Sequence, residues 1–133
     1  MRYMLDTNVC IDYMRGTDIG VKEHILNSGN NELCISSITL SELLFGVNKS
    51  ANPQHNRGVL YSLLTKIEIL DYGSEASEYY GMLRNELSGN GCVIGSLDML
   101  ITAHAMSEDL ILITHNTSEF GRVKGLKIED WHI

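Results

Sequence analysis

Short apolar segments alternate with longer amphipathic segments along this chain, and this alternation limits the fold more than any other feature. The clearest short segment is residues 110–114, an unbroken apolar run typical of a central strand in a parallel sheet. Because helical patterns separate the short segments, the sequence predicts an α/β sandwich around a mainly parallel sheet. The other predicted strands are residues 2–5, 33–36, 67–71 and, at an edge of the sheet, 126–129.

Helices are predicted where apolar residues recur every three or four positions. Asn52 and Pro53 indicate one helix start, with Asn52 as the cap and Pro53 at the first helical position. Residues 88–96 carry several glycines and are predicted to form a long loop. The predicted helices are residues 9–14, 16–28, 39–47, 53–66, 74–87 and 97–107.

The chain has 133 residues and no internal repeat, so we expect one domain that spans residues 1–133. No apolar run approaches the roughly 18 residues of a membrane span, and charged residues interrupt the N-terminus where a leader would be apolar. We therefore expect a cytoplasmic protein that does not enter membranes. The three cysteines, Cys10, Cys34 and Cys92, are odd in number and widely spaced, which favours buried thiols over a zinc ribbon or disulfides.

The charge balance is acidic, with 10 basic against 17 acidic residues and a net charge of −7. This balance argues against a protein that coats nucleic acid with a basic surface. It leaves open an enzyme that acts on nucleic acid, because a site for divalent metal is itself built from carboxylates. Any contact with nucleic acid must then come from a local basic patch or from bound metal.

Ligands of open parallel sheets bind beyond the carboxyl ends of the strands, so polar residues there are candidates for a functional site. Asp6 directly follows the first predicted strand, and Glu42 lies in the helix after the second. Asp98 lies near the start of the helix that leads into the strongest strand, which is followed by Asn116 and Glu119. Because clustered carboxylates repel one another without a cation, and hard oxygen ligands suit Mg²⁺ or Mn²⁺, this set predicts a metal site.

Each carboxylate also has a purely structural interpretation, and the residues alone leave it open. Asp6 is a favoured cap for the first helix. Thr39 and Glu42 fit a capping box, in which the two side chains satisfy the first turn of their own helix. Asp98 complements the dipole of a helix that Ser96 would cap.

Four motifs, in this order and spacing, resemble the PIN-domain ribonucleases, and more narrowly the VapC toxins of bacterial toxin–antitoxin pairs. They are MLDTN at 4–8, ITLSE at 38–42 followed by FG, IG at 94–95 with Asp98 and AHA at 103–105, and THN at 114–116 with EF at 119–120. The resemblance covers nearly the whole chain and implies a three-layer α/β/α sandwich.

The resemblance also implies roles for individual residues. The metal-binding carboxylates would be Asp6, Glu42 and Asp98. The family often has an aspartate at the position of Asn116, and because asparagine is a neutral and weaker ligand, Asn116 would take part through water. The implied supporting residues, which orient this cluster, are Thr7, Asn8, Thr114 and Glu119. The implied activity is Mg²⁺- or Mn²⁺-dependent hydrolysis of phosphodiester bonds in structured RNA, at transfer RNA or ribosomal RNA loops. The implied partners are a VapB-like antitoxin and a second copy of the chain.

Two rival functions remain to be compared with this one. A phosphatase of the haloacid-dehalogenase type needs an acid two positions after the first aspartate, where this chain has Asn8. A PIN-like protein that only binds RNA or a partner needs a broken acidic set, and only Asn116 favours it.

The remaining polar residues give weaker signals. We expect His104 to be packed or hydrogen bonded, and His115 is a candidate substrate contact. His24, His55 and His132 show no ligand spacing. Arg15, Lys49 and Arg57 are candidates for contacts with RNA phosphates, and residues 49–58 for a mobile segment that faces the substrate.

Overall fold

The computed structural model describes residues 2–29, 31–91 and 94–133, and within them five strands alternate with seven helices. The strands are β1 (Tyr3–Leu5), β2 (Leu33–Ser36), β3 (Glu68–Leu70), β4 (Ile111–Ile113) and β5 (Lys127–Glu129). The helices are α1 (Thr7–Arg15), α2 (Ile19–Asn27), α3 (Ser37–Lys49), α4 (Pro53–Leu64), α5 (Ser74–Gly89), α6 (Ser96–Ser107) and α7 (Thr117–Phe120). None of these helices is both long and apolar enough to cross a bilayer.

The strands form one parallel sheet in the order β3-β2-β1-β4-β5. The predicted α/β fold with a mainly parallel sheet is confirmed, and the strand predicted from the apolar run at 110–114 is interior. The middle position, however, belongs to β1, the first strand of the chain. The registers pair Leu5 with Ile113 and Ser36 with Leu70, so the ends of neighbouring strands lie side by side.

Alternate residues of each strand supply two separate apolar cores, as the period of a β-strand requires. Leu5, Ile35 and Ile113 pack against α1 to α4, whereas Met4, Cys34 and Leu112 pack on the other face, where α6 lies. A third cluster joins α5 to the outer side of α6. The helices therefore cover both faces of the sheet, which confirms the three-layer sandwich.

Several predicted boundaries were wrong in ways that bear on the site. α5 continues to Gly89, so the glycine-bearing connection is shorter than the predicted loop, and α6 is preceded by Gly95 rather than capped by Ser96. The proposed mobile segment is largely helical, because α3 runs to Lys49 and α4 starts at Pro53. The short helix α7 was not predicted. Cys10 and Cys34 are buried as predicted, whereas Cys92 lies outside the described residues.

The C-terminal tail is fixed by Trp131, which is 3% exposed. Its ring stacks on the His24 ring with centroids 4.7 Å apart, and its Nε1 donates to Glu129 at 2.8 Å. Gly20 of α2 makes this possible, since a Cβ there would lie 2.4 Å from the Trp131 carbonyl oxygen. The residues after β5 are therefore held against α2, close to the carboxyl edge of the sheet.

Candidate active site

Asp6 is fixed at the end of β1 by bonds from both sides. Its backbone amide donates to the Ile113 carbonyl at 3.1 Å, and its Oδ1 accepts the Val9 amide at 2.8 Å, which caps α1. The side chain is 4% exposed. Burial raises the pKa of Asp6 above its usual value, although hydrogen bonds from the Thr114 side chain and the Val9 amide oppose this rise. Asp6 is thus both the predicted helix cap and a buried carboxylate that water screens poorly.

Glu42 faces α1 and does not cap its own helix. Ser36 precedes α3 and caps it, with its Oγ accepting the Ile38 amide at 3.1 Å, so the predicted capping box of Thr39 and Glu42 is wrong. Thr7 donates its hydroxyl to Glu42 Oε1 at 2.6 Å, and Thr39 Oγ1 lies 3.4 Å from the same hydroxyl. One carboxylate oxygen of Glu42 is therefore oriented by the first residue of α1.

Asp98 stands in the first turn of α6, in the electrostatic field of other carboxylates. Partial burial is the main cause that raises the pKa of Asp98 to about 7. Glu119 adds to the rise through its charge and a hydrogen bond, and Asp6 and Glu42 add to it through their charges. We call these residues, Asp6, Glu42, Asp98 and Glu119, the acidic cluster. Its members come from four separate segments of the chain, so like charges meet at one place in the fold and oppose one another's ionisation.

The loop after β4 orients Glu119. Thr114 is buried, and its Oγ1 accepts the Asn116 amide at 3.1 Å. The side-chain nitrogen of Asn116 donates to Glu119 Oε2 at 2.7 Å, while the Gly95 amide donates to Glu119 Oε1 at 3.1 Å. Asn116 therefore acts as a donor to a member of the acidic cluster, and Glu119 links the starts of α6 and α7.

A cleft of about 530 Å³ opens beside Asp6, between α1 and the loop after β4. Its lining residues are Asp6, Asn8, Ile11, Asp12, Arg15, His115 and Asn116. Arg15 is the one basic residue among the three candidates that reaches this cleft. Lys49 instead lies over the Phe45 ring at 5.0 Å, and Arg57 donates to Asn48 Oδ1 at 3.1 Å.

The oxygen donors of the acidic cluster fit a hard divalent cation that retains water. Asp6, Glu42 and Asp98 offer only carboxylate oxygens, and their repulsion would be relieved by positive charge. The described residues 2–29, 31–91 and 94–133, however, bring three possible metal ligands close together at another place. One ligand atom from each of His115, Asp130 and His132 lies within 4.8 Å of the other two. No three carboxylates of the described residues approach one another this closely, which suits Mg²⁺-like ions that keep several waters between themselves and the protein.

One histidine was predicted correctly, and the meeting of two others at Asp130 was missed. His104 is buried, with Nδ1 2.7 Å from Ser36 Oγ and Nε2 2.8 Å from Glu108 Oε2, so it is the hydrogen-bonded histidine that was expected. His115 and His132 both contact Asp130, although His132 showed no ligand spacing in the sequence. In the sequence, this cluster is indicated only by the positions of His115 and Asp130 just beyond β4 and β5. These positions become informative once it is known that the two strands are neighbours in the sheet.

Comparison with known proteins identifies the family. A profile of the PIN domain matches residues 3–126. The tRNA(fMet)-specific endonuclease VapC of Shigella flexneri is 41% identical over 98% of this chain and 98% of its own. Ribonuclease VapC2 of Rickettsia felis is likewise 41% identical, over 98% of both chains.

Solved structures agree with the sequence relatives. DNA-bound VapBC from Salmonella typhimurium superposes with a TM-score of 0.92 at 39% identity, over 98% of both chains. VapBC2 from Rickettsia felis, bound to a DNA fragment from its promoter, gives a TM-score of 0.90 at 37% identity, over 98% of this chain and 99% of that one. The resemblance inferred from the four motifs is thereby confirmed.

Proposed function

Because the chain belongs to the PIN-domain family and to its VapC ribonucleases, we propose that it is a metal-dependent endoribonuclease toxin whose acidic cluster is the catalytic site. The observation that carries this proposal is the convergence of carboxylates from distant segments at one edge of the sheet, where Thr7 of α1 binds Glu42 of α3 and Glu119 of α7 binds the amide that precedes α6. Residues 1–133 would form a single PIN domain that acts in the cytoplasm, where its RNA lies.

Asp6, Glu42 and Asp98 would hold Mg²⁺ or Mn²⁺, with Asn116 and Glu119 contributing through water. A divalent cation bound by these residues would supply a coordinated water of lowered pKa and positive charge beside the attacked phosphate. The protein holds these carboxylate oxygens in position before a cation binds. The Val9 amide fixes Asp6 Oδ1, and the Thr7 hydroxyl fixes Glu42 Oε1.

Asp98 must lose a proton before it can act as a ligand. Its pKa of about 7 in the metal-free protein means that proton and cation compete for this carboxylate near neutral pH. Asn8 and Thr114 would support the acidic cluster. Asn8 lines the cleft, and the side chain of Thr114 forms a hydrogen bond with Asp6. Arg15 lines the same cleft and would bind a backbone phosphate of the RNA by paired hydrogen bonds.

The proposed substrate is a loop of transfer RNA or ribosomal RNA. Support comes from the Shigella flexneri relative, which is named a tRNA(fMet)-specific endonuclease. A loop also suits an open cleft, because unstacked bases and a bent backbone are accessible to a protein only in single-stranded segments.

Cleavage by the purified chain tests this function. Transfer RNA and ribosomal RNA are incubated with wild type, with Asp98→Ala and with the matched control Glu78→Gln, which removes an exposed charge on α5. We expect Mg²⁺- or Mn²⁺-dependent cleavage by wild type and control, and a loss of at least about 100-fold, or ~3 kcal/mol, in Asp98→Ala. Full cleavage by Asp98→Ala, or by wild type in excess chelator, would contradict the proposal.

The RNA target is found by sequencing RNA 5′ ends shortly after the protein is induced in cells. New ends that appear with wild type and are absent with Asp98→Ala identify the bond that is cut. Ends that accumulate equally with both proteins would mean that the acidic cluster does not perform the cleavage.

The proposed inhibitor is a VapB-like antitoxin, in keeping with the VapBC complexes that superpose on this chain. Because the cleft is acidic, we expect the antitoxin to place a Lys or Arg beside Asp6 or Asp98. A structure of the complex with no basic side chain near these carboxylates would refute this. We also propose a homodimer, which light scattering of the purified chain would measure directly.

A further inference from the structure

A second cluster of ligand side chains lies beside the acidic cluster and is not used by the proposed ribonuclease reaction. It consists of His115, Asp130 and His132, which we call the His–Asp–His triad. His115 Nδ1 lies 3.0 Å from Asp130 Oδ2, and His132 Nδ1 lies 3.1 Å from Asp130 Oδ1. The two imidazole rings also contact each other, with centroids 4.2 Å apart.

The fold holds the triad in place from two sides. Ile113 pairs with Glu129 across the parallel strands β4 and β5, so the residues just beyond these strands are neighbours. Trp131 lies between Asp130 and His132 in the sequence, and its buried ring anchors the tail against α2. The side chain of His132 is consequently only 9% exposed, whereas that of His115 is 66% exposed.

The geometry points to a binding site for a divalent transition metal with the preferences of Zn²⁺. One ligand atom from each of His115, Asp130 and His132 lies within 4.8 Å of the other two, and Zn–N and Zn–O bonds of about 2.0–2.2 Å span such a group after small side-chain movements. Two imidazoles and one carboxylate are a donor set typical of zinc, with a further position left to water. Mg²⁺ and Mn²⁺ prefer oxygen, so this site and the acidic cluster select different ions.

Asp12 adds the outer partner that metal-binding histidines commonly have. Its Oδ2 lies 2.7 Å from His132 Nε2, which leaves Nδ1 of the same ring directed at Asp130. A carboxylate on the far nitrogen orients the ring, and its loss commonly costs about 10- to 100-fold in metal affinity. Bound zinc would tie the loop that carries Asn116 to the C-terminal tail.

Zinc binding to the full chain tests this inference independently of RNA cleavage. Titration calorimetry with ZnCl₂ is performed in excess Mg²⁺, so that the acidic cluster is occupied, and histidine side-chain ¹H–¹⁵N spectra report the liganded nitrogens. We expect one zinc per chain, with the resonances of His115 and His132 Nδ1 shifted. Asp12→Asn should bind zinc about 10- to 100-fold more weakly, and His115→Ala more weakly still.

Two variants serve as controls. His55→Ala removes an exposed histidine of α4, and Asp98→Asn alters the acidic cluster, so both should bind zinc as wild type does. The decisive variant is His115→Ala, because its exposed side chain can be removed without loss of the fold. No zinc binding by wild type, unchanged binding by His115→Ala, or loss of binding in Asp98→Asn would each overturn the inference.

Discussion

The acidic cluster and the His–Asp–His triad lie at the same edge of the sheet, yet their charges are balanced in opposite ways. In the acidic cluster, burial and neighbouring carboxylates raise the pKa of Asp98 to about 7. At the triad, burial opposes ionisation of Asp130, but hydrogen bonds from His132 and His115 lower the pKa of this carboxyl below its usual value. Hydrogen bonds at the triad thus favour the ionised form of its carboxylate, whereas burial and like charges in the acidic cluster oppose ionisation of Asp98.

This difference separates a carboxylate whose ionised form the fold stabilises from one whose ionised form the fold destabilises. Burial lowers the pKa of His132, but hydrogen bonds to Asp12 and Asp130 and the charges of Asp18 and Asp12 raise it, so the net shift is upward. The acidic cluster has donors as well, from Thr7, Val9 and Asn116, yet these fix the directions of oxygens and bring no full positive charge. Orientation without neutralisation is the arrangement expected of a metal-dependent catalytic site.

The largest expected difference between the two regions is in catalysis. Glu42→Gln keeps the acceptor for Thr7 but removes a negative charge, so RNA cleavage should fall by about 100-fold, or ~2.7 kcal/mol. Asp130→Asn removes a charge from the triad and should cleave RNA at nearly the wild-type rate. Initial rates on the same RNA at saturating Mn²⁺ measure both variants. Equal losses would show that the two regions form one catalytic unit.

Metal should stabilise the protein through the acidic cluster. At about 100 times its dissociation constant, a ligand that binds only the folded state adds roughly 2.7 kcal/mol, or about 10 °C in melting temperature. Mn²⁺ should therefore raise the melting temperature of wild type and raise that of Asp98→Asn much less. Thermal melting with and without Mn²⁺ measures this, and an equal gain in both proteins would remove Asp98 from the metal site.

In chelator, removing one charge from each region should change stability in opposite directions. Asp98→Asn relieves repulsion and should raise the melting temperature at neutral pH by about 3–5 °C, for roughly 1 kcal/mol after solvent screening. Asp130→Asn loses charge-assisted hydrogen bonds and should lower it by a similar amount. Shifts of the same sign would contradict the contrast in charge balance.

The smallest expected effect is a pH dependence of the metal-free protein. The folded-state pKa of Asp98, about 7, exceeds its unfolded value, so its penalty is fully present above pH 7 and disappears as pH falls toward about 4. His132 has a raised folded-state pKa, so its contribution is fully present below its unfolded pKa and is lost as pH rises through the folded one. The melting temperature should therefore rise as pH falls from about 8 to about 6.

Variants separate the two titrations. Asp98→Asn should flatten the part of the pH dependence that comes from the acidic cluster, and His132→Gln the part that comes from the triad. Melting curves of the three proteins in chelator across this pH range provide the measurement. A wild-type melting temperature that falls on acidification over the same range would show that neither group titrates as described.

Local pattern was sufficient to predict the architecture and to select the acidic residues. The apolar run that contains β4 and the cap residue Asn52 each carry their own signal, and both were correctly interpreted. Asp6 and Asp98 were placed together because the carboxyl ends of parallel strands must meet at one edge. The roles of these residues as metal ligands stay predictions.

The predictions that failed had both local and long-range causes. The capping-box interpretation of Glu42 failed because Ser36 starts α3 earlier than the pattern indicated, which frees Glu42 to accept from Thr7. The His–Asp–His triad was missed because its members become neighbours only through the register of β4 and β5. α7, one turn long, has too few residues for a periodic pattern.

The position of β1 in the middle of the sheet has a consequence for synthesis of the protein. Its neighbour β4 leaves the ribosome roughly 100 residues later, which corresponds to about 5–20 s of translation. Asp6 is made among the first residues, but its amide can bond Ile113 and its carboxylate can meet Asp98 only when the chain is nearly finished. The acidic cluster therefore cannot assemble during most of the chain's own translation, so any activity that depends on it begins only when synthesis is nearly complete.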